Sequence, residues 1–162
     1  MAEIFRVFIL MKTILITGGA GFIGTNAVNY FANRGWKVIV VDNLSRKGSE
    51  KNLLWLKSQS EYSIEFMNID IVDKPTIEQT FKDNSIDAVI HLAGQVAVTN
   101  SVLDPERDFE INGIGTLNIL EALRKISPET IMINASTNKV YGQLDHLSIS
   151  ELQDRYQFES IA

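Results

Sequence analysis

The segment ILITGGAGFIG, Ile14 to Gly24, constrains this chain more than any other. Ile14 to Thr17 form a short apolar and β-branched run of the kind that builds a strand buried on both faces. Glycines follow at Gly18, Gly19, Gly21 and Gly24, and a helical pattern runs from about Phe22 to Arg34, closed by Gly35. Such a junction turns the chain sharply, lets a pyrophosphate approach bare backbone, and packs the helix close to the strand. The N–H groups and positive dipole end of the helix then face the phosphates.

The second expected strand, Lys37 to Val41, leads to Asp42, eighteen residues after Gly24. A carboxylate there can bind both hydroxyls of a ribose and repels a 2′-phosphate, so the pattern favours NAD over NADP. Arg46 lies close enough in sequence to soften that preference.

The rest of the chain alternates strands with helices. Ser49 to Ser58 reads as a helix and Ile64 to Ile69 as a third strand. Asp73 and Pro75 open a helix carrying Ile77 and Phe81 on one face. Ala88 to Leu92 is a fourth strand. Asp104 and Pro105 start a long helix to about Ile126, with Ile114, Leu117, Leu120 and Leu123 expected as its inner stripe. Thr130 to Asn134 is a fifth strand. Strands in this alternation form a parallel sheet with right-handed crossovers. The fold class is therefore α/β: a Rossmann-type doubly wound sheet, truncated at about five strands. Residues 1–10 read as an extension ahead of Met11, residues 11–147 as the dinucleotide-binding domain, and residues 148–162 as a short helix or unsettled tail.

Composition narrows the possible partners. The net charge is −5, which argues against nucleic acid. There is no cysteine, and His91 and His146 alone cannot build a metal site. No apolar run reaches the roughly 18 residues that span a membrane, and Glu3 with the direct continuation into Lys12 argues against a signal peptide. A cytoplasmic protein is expected.

Four stretches carry a resemblance beyond the glycine loop. DNLSRKG (42–48), HLAGQVAVTNS (91–101), DFEIN (108–112) and STNKVYG (136–142) make the chain similar to the extended short-chain dehydrogenase/reductases, the NAD-dependent sugar-nucleotide epimerases and dehydratases. Their wording most resembles the CDP-paratose 2-epimerase (CDP-tyvelose epimerase) group of that family, from about Met11 to Phe158. The resemblance implies a pyrophosphate held by Gly18, Gly21, Phe22, Ile23 and Gly24. It implies an adenosine ribose at Asp42, Asn43 and Ser45, and an adenine bordered by Asp70 and Ile71. Leu92, Ala93, Gly94 and Gln95 would line the nicotinamide side. Thr137 would be the active-site hydroxyl on the reacting oxygen of a nucleotide-sugar, most closely a CDP-linked one.

By its position, His91 reads as structural. Asn112 reads equally as a hydrogen-bond former or a substrate contact, Trp36 and Trp55 as packing residues, Lys139 as solvated and Tyr141 as a brace for its loop.

The family's chemistry is transient oxidation by NAD, with a tyrosine as base and a lysine four residues on that lowers its pKa. The residues four beyond Tyr30, Tyr62, Tyr141 and Tyr156 are Arg34, Phe66, Asp145 and Ser160, so no YxxxK pair is present. The chain is accordingly expected to be the amino-terminal half of such an enzyme, inactive alone, with self-association through apolar surface that a second half would cover. A non-catalytic NAD-binding module is the alternative. Fragments of a C4-epimerase or a 4,6-dehydratase are further ones. Asn138 and Lys139, where dehydratases usually carry an acidic pair, make dehydration the less favoured chemistry.

Overall fold

A computed structural model describes residues 11–59, 63–137 and 147–159. The extension 1–10, Tyr62, the loop residues Asn138, Lys139 and Tyr141, and His146 lie outside the described residues.

Five parallel strands form the sheet: β1 (Thr13–Thr17), β2 (Lys37–Asp42), β3 (Ile64–Asn68), β4 (Ala88–His91) and β5 (Ile131–Asn134), in the spatial order β3-β2-β1-β4-β5. Each strand is short, and β1 is buried along its whole length. The chain first builds outward from β1 through β2 to β3, then returns to place β4 on the other side of β1. That reversal opens a crevice at the carboxyl ends of β1 and β4.

Strand residues alternate between two helical layers. Ile14, Ile16, Val38 and Val40 pack with Val28 and Ala32 of α1 (Phe22–Ala32) and Leu56 of α2 (Ser49–Ser58). Leu15, Ile39, Val41 and Val89 face the other layer, α3 (Lys74–Asp83) and a helix after β4, through Ile77, Phe81, Ile119 and Ala122. The Asp73 cap forms as expected, with its carboxylate accepting from the Thr76 N–H and hydroxyl. Trp36 packs edge-on to Phe31, whereas Trp55 sits half-exposed on the outer side of α2 rather than in a packed interior.

The segment after β4 departs from the single helix expected. It forms α4 (Val98–Leu103), α5 (Pro105–Phe109), a π-helical turn (Glu110–Gly115) and α6 (Thr116–Ile126). Asp104 still caps it, accepting from the Arg107 N–H at 3.0 Å. The inner stripe also differs. Gly115, Asn118, Ile119, Ala122 and Leu123 are buried, whereas Ile114, Leu117 and Leu120 are 36, 51 and 47 % exposed. The helix is apolar on two faces, and its small residues decide which one meets the sheet. A side chain at Gly115 would come within 2.5 Å of Ile71, an approach that a leucine stripe would prevent.

Residues 148–159 are neither helix nor unsettled: β6 (Ile149–Glu151) and β7 (Tyr156–Phe158) pair as an antiparallel hairpin.

The buried Asn118 amide donates to the carbonyls of Ile71 and Val72 at 3.0 and 3.1 Å, tying α6 to the loop between β3 and α3. Asn118→Ala leaves both carbonyls without that donor and is expected to lower the urea unfolding free energy by about 1–3 kcal/mol.

Candidate functional site

The carboxyl ends of β1 to β4 open into a groove of about 580 Å³. Gly18 lines it at the end of β1. Its N–H donates to the Val41 carbonyl at 2.8 Å, its φ is +66°, and a Cβ there would lie 2.7 Å from the Ala93 nitrogen. Only glycine allows both the left-handed backbone and the contact with the strand β4 loop. A Cβ on Gly24 would come within 2.0 Å of the Gly18 carbonyl, so α1 starts directly against the turn. Gly21 occupies the N-cap of α1 with no side-chain cap, which leaves the head of the helix to backbone and ligand.

Two side chains hold the loop from outside. Asp42 accepts the Ala20 N–H at 3.0 Å, and the Asn52 amide donates to the Ala20 carbonyl at 2.8 Å. The other Asp42 oxygen accepts the Leu44 N–H at 2.8 Å, steadying a residue whose φ is +55°. Asn43 accepts the Ser45 N–H through its side-chain oxygen and donates to Asp70.

A buried polar chain fixes the β4 side. The Thr17 hydroxyl oxygen accepts the N–H groups of Leu92 and Ala93, both at 3.2 Å. With both lone pairs occupied, its proton goes to His91 Nδ1 at 2.6 Å. His91 Nε2 then carries the ring proton and donates to the Thr116 hydroxyl, which donates to the Asn112 carbonyl. Burial holds the imidazole neutral, with its pKa pushed down to about 4. Asn112 grips Gln95 on both sides, accepting its N–H and donating to its carbonyl at 2.9 Å each. The π-helical turn thus supplies two anchors for the loop from Leu92 to Gln95.

Asp70 and Arg107 face each other at the far end. Arg107 donates to Asp70 at 2.6 Å and to Glu110 at 3.1 Å. Burial alone would raise the Asp70 carboxyl, but the Val72 N–H, the Arg107 guanidinium and the Asn43 amide outweigh it and hold the pKa below its ordinary value.

The groove therefore brings together Gly18, Gly21, Asp42, Asn43, Ser45, Asp70, Ile71 and all four residues from Leu92 to Gln95. Phe22 and Ile23 sit exposed at the head of α1, outside the groove lining, and Gly24 is buried beneath the turn. Thr137 is exposed beyond β5 and also outside that lining. Sequence reasoning missed Thr17, Asn52 and Arg107. Thr17 was legible as the last hydroxyl of β1; Asn52 and Arg107 look like ordinary helix-surface residues until the fold brings them to the loop.

A sequence profile of the GDP-mannose 4,6-dehydratase family matches residues 15–158. The chain belongs to this family. The member from Salmonella typhi named CDP-paratose 2-epimerase is 46 % identical over 143 residues, covering 88 % of this chain and 42 % of that protein. The UDP-glucose 4-epimerase from Bifidobacterium longum, solved with NAD+ and UDP, superposes with a TM-score of 0.74 at 34 % identity over 87 % of this chain and 40 % of that one. The Thermus thermophilus UDP-glucose 4-epimerase, solved with NAD, gives 0.63 at 39 % identity over 74 % and 36 %. This family member spans about two fifths of the length of the curated relatives it matches.

His91 makes a pH prediction. The unfolded chain takes up a proton on this ring below about pH 6.5, whereas the folded chain does so only below about 4. Stability is therefore lost as pH falls through that window, by up to ~3 kcal/mol for this group. Urea unfolding at pH 7 and pH 4.5 is expected to show a steeper decline for the wild type than for His91→Gln.

Proposed function

We propose that this chain is the NAD-binding part of a nucleotide-sugar epimerase that works by transient oxidation, with a CDP-linked sugar as substrate. The reading rests on the groove at the sheet's switch point, where a glycine turn, an uncapped helix head and the Asp42 carboxylate follow one another in the order a dinucleotide requires. The cradle fits the cofactor: at Gly18 there is no room for a side chain, and the groove size is that of a small-molecule site.

Gly18 and Gly21, with the first turn of α1 at Phe22, Ile23 and Gly24, would hold the pyrophosphate. Asp42, Asn43 and Ser45 would hold the adenosine ribose, Asp70 and Ile71 the adenine edge, and Leu92 to Gln95 the nicotinamide. When bound, NAD supplies a reversible electron-pair acceptor for a sugar alcohol carbon. Thr137 would hydrogen-bond the reacting sugar oxygen, which steadies it but cannot remove its proton at neutral pH. A tyrosine near its usual pKa of about 10 is almost wholly protonated there. None of the four tyrosines has a lysine four residues on. The chain is accordingly proposed to bind NAD without turning over sugar. That same missing pair favours the second reading, a non-catalytic NAD-binding module.

Calorimetric titration tests this. The wild type is expected to bind NAD in preference to NADP, and Asp42→Ala to weaken NAD by about 10- to 100-fold, the loss expected for hydrogen bonds to a charged group. NADP bound as tightly as NAD by the wild type would overturn the assignment of Asp42. Epimerisation of a CDP-sugar by this chain alone would overturn the incomplete-enzyme reading.

β5, the edge strand among the described residues, extends the proposal. Among the described residues Ile131 and Ile133, on one face of that strand, are 68 and 60 % exposed, which supports self-association through this side of the sheet. Sedimentation is expected to show concentration-dependent oligomers, reduced in Ile133→Lys.

A further inference from the structure

We infer that Arg107 is a positioning residue for the adenine end of the dinucleotide: it ties α5 to the loop after β3 and sets which base the Asp70 carboxylate accepts. This deepens the NAD reading and rests on it. Arg107 and Asp70 both line the groove, from different elements. The guanidinium spans two acids, reaching Asp70 Oδ2 with one nitrogen and Glu110 Oε2 with the other. Its own backbone N–H is held by the Asp104 cap. The fork is thus fixed at its root and at both tips, a geometry that lysine cannot reproduce.

The consequence falls on Asp70. Its Oδ2 accepts from both Arg107 and Asn43, while Oδ1 accepts, among the described residues, the Val72 N–H alone. The remaining acceptor capacity is therefore concentrated on Oδ1, on a carboxylate that cannot turn. An acceptor so held favours a base whose edge carries an amine donor, as adenine does, over one with a carbonyl there, as in hypoxanthine. The ion pair is more than a third exposed on its Arg107 side, so it adds little to global stability and its removal leaves a folded chain.

The test compares NAD with nicotinamide hypoxanthine dinucleotide by calorimetry, using the wild type, Arg107→Ala and Arg107→Lys. The wild type is expected to prefer NAD by about tenfold. Arg107→Ala is expected to bring that ratio close to one, and Arg107→Lys to leave an intermediate ratio. A merely structural arginine would lower both affinities together and leave the ratio intact, which overturns the inference. Equal binding of the two dinucleotides by the wild type overturns it too, while sparing the NAD reading. Failure of the wild type to bind either overturns both. If the alanine variant does not fold, the lysine variant's ratio decides.

Discussion

The contact between Gly18 and the backbone at Leu92 and Ala93 is the constraint on which the rest depends. β1 and β4 are neighbours in space but lie far apart in the chain, and their exits must diverge to leave a groove. At Gly18 there is no space for even a methyl group between the two exits. Thr17, one residue earlier, accepts both N–H groups of the facing loop. The turn after β1 and the loop after β4 therefore behave as one unit. That unit sets the groove width before any ligand is considered.

The same logic extends outward through polar contacts. His91 carries the Thr17 hydrogen bond across to Thr116, and the π-helical turn returns it to Gln95 through Asn112. A regular helix from Pro105 to Ile126 would rotate Asn112 or Thr116 out of reach, since an extra residue in one turn shifts the following face by about 100°. The irregularity lies where the segment must bind the loop on one side and the sheet on the other. Asp70 and Arg107 join the outer ends of these two walls.

Much of this was legible in the sequence. The glycine spacing, Asp42 and the alternation of apolar runs with helical patterns led to the sheet, and the family resemblance implied the eleven proposed cofactor residues that line the groove. The inner stripe of α6 was misjudged because leucines outnumber the small residues there. The sheet instead selects Gly115, Ile119 and Ala122, which allow a closer approach. Trp55 was misjudged as well, since a large aromatic is expected inside and this one is 46 % exposed on α2. The β6–β7 hairpin was missed because its strands are only three residues each, too short for a period to register.

Local chemistry determined on its own that this chain builds a parallel sheet with a phosphate turn. Glycine at a left-handed position, a carboxylate at a strand end and continuous apolar runs each impose their geometry within a few residues. Only the tertiary structure decided which helix face is buried, that His91 is neutral with its proton on Nε2, and that Arg107 meets Asp70 across 37 positions of sequence. Those outcomes depend on distances between elements brought together by the crossover of β4 to β1, and no local pattern encodes such a distance.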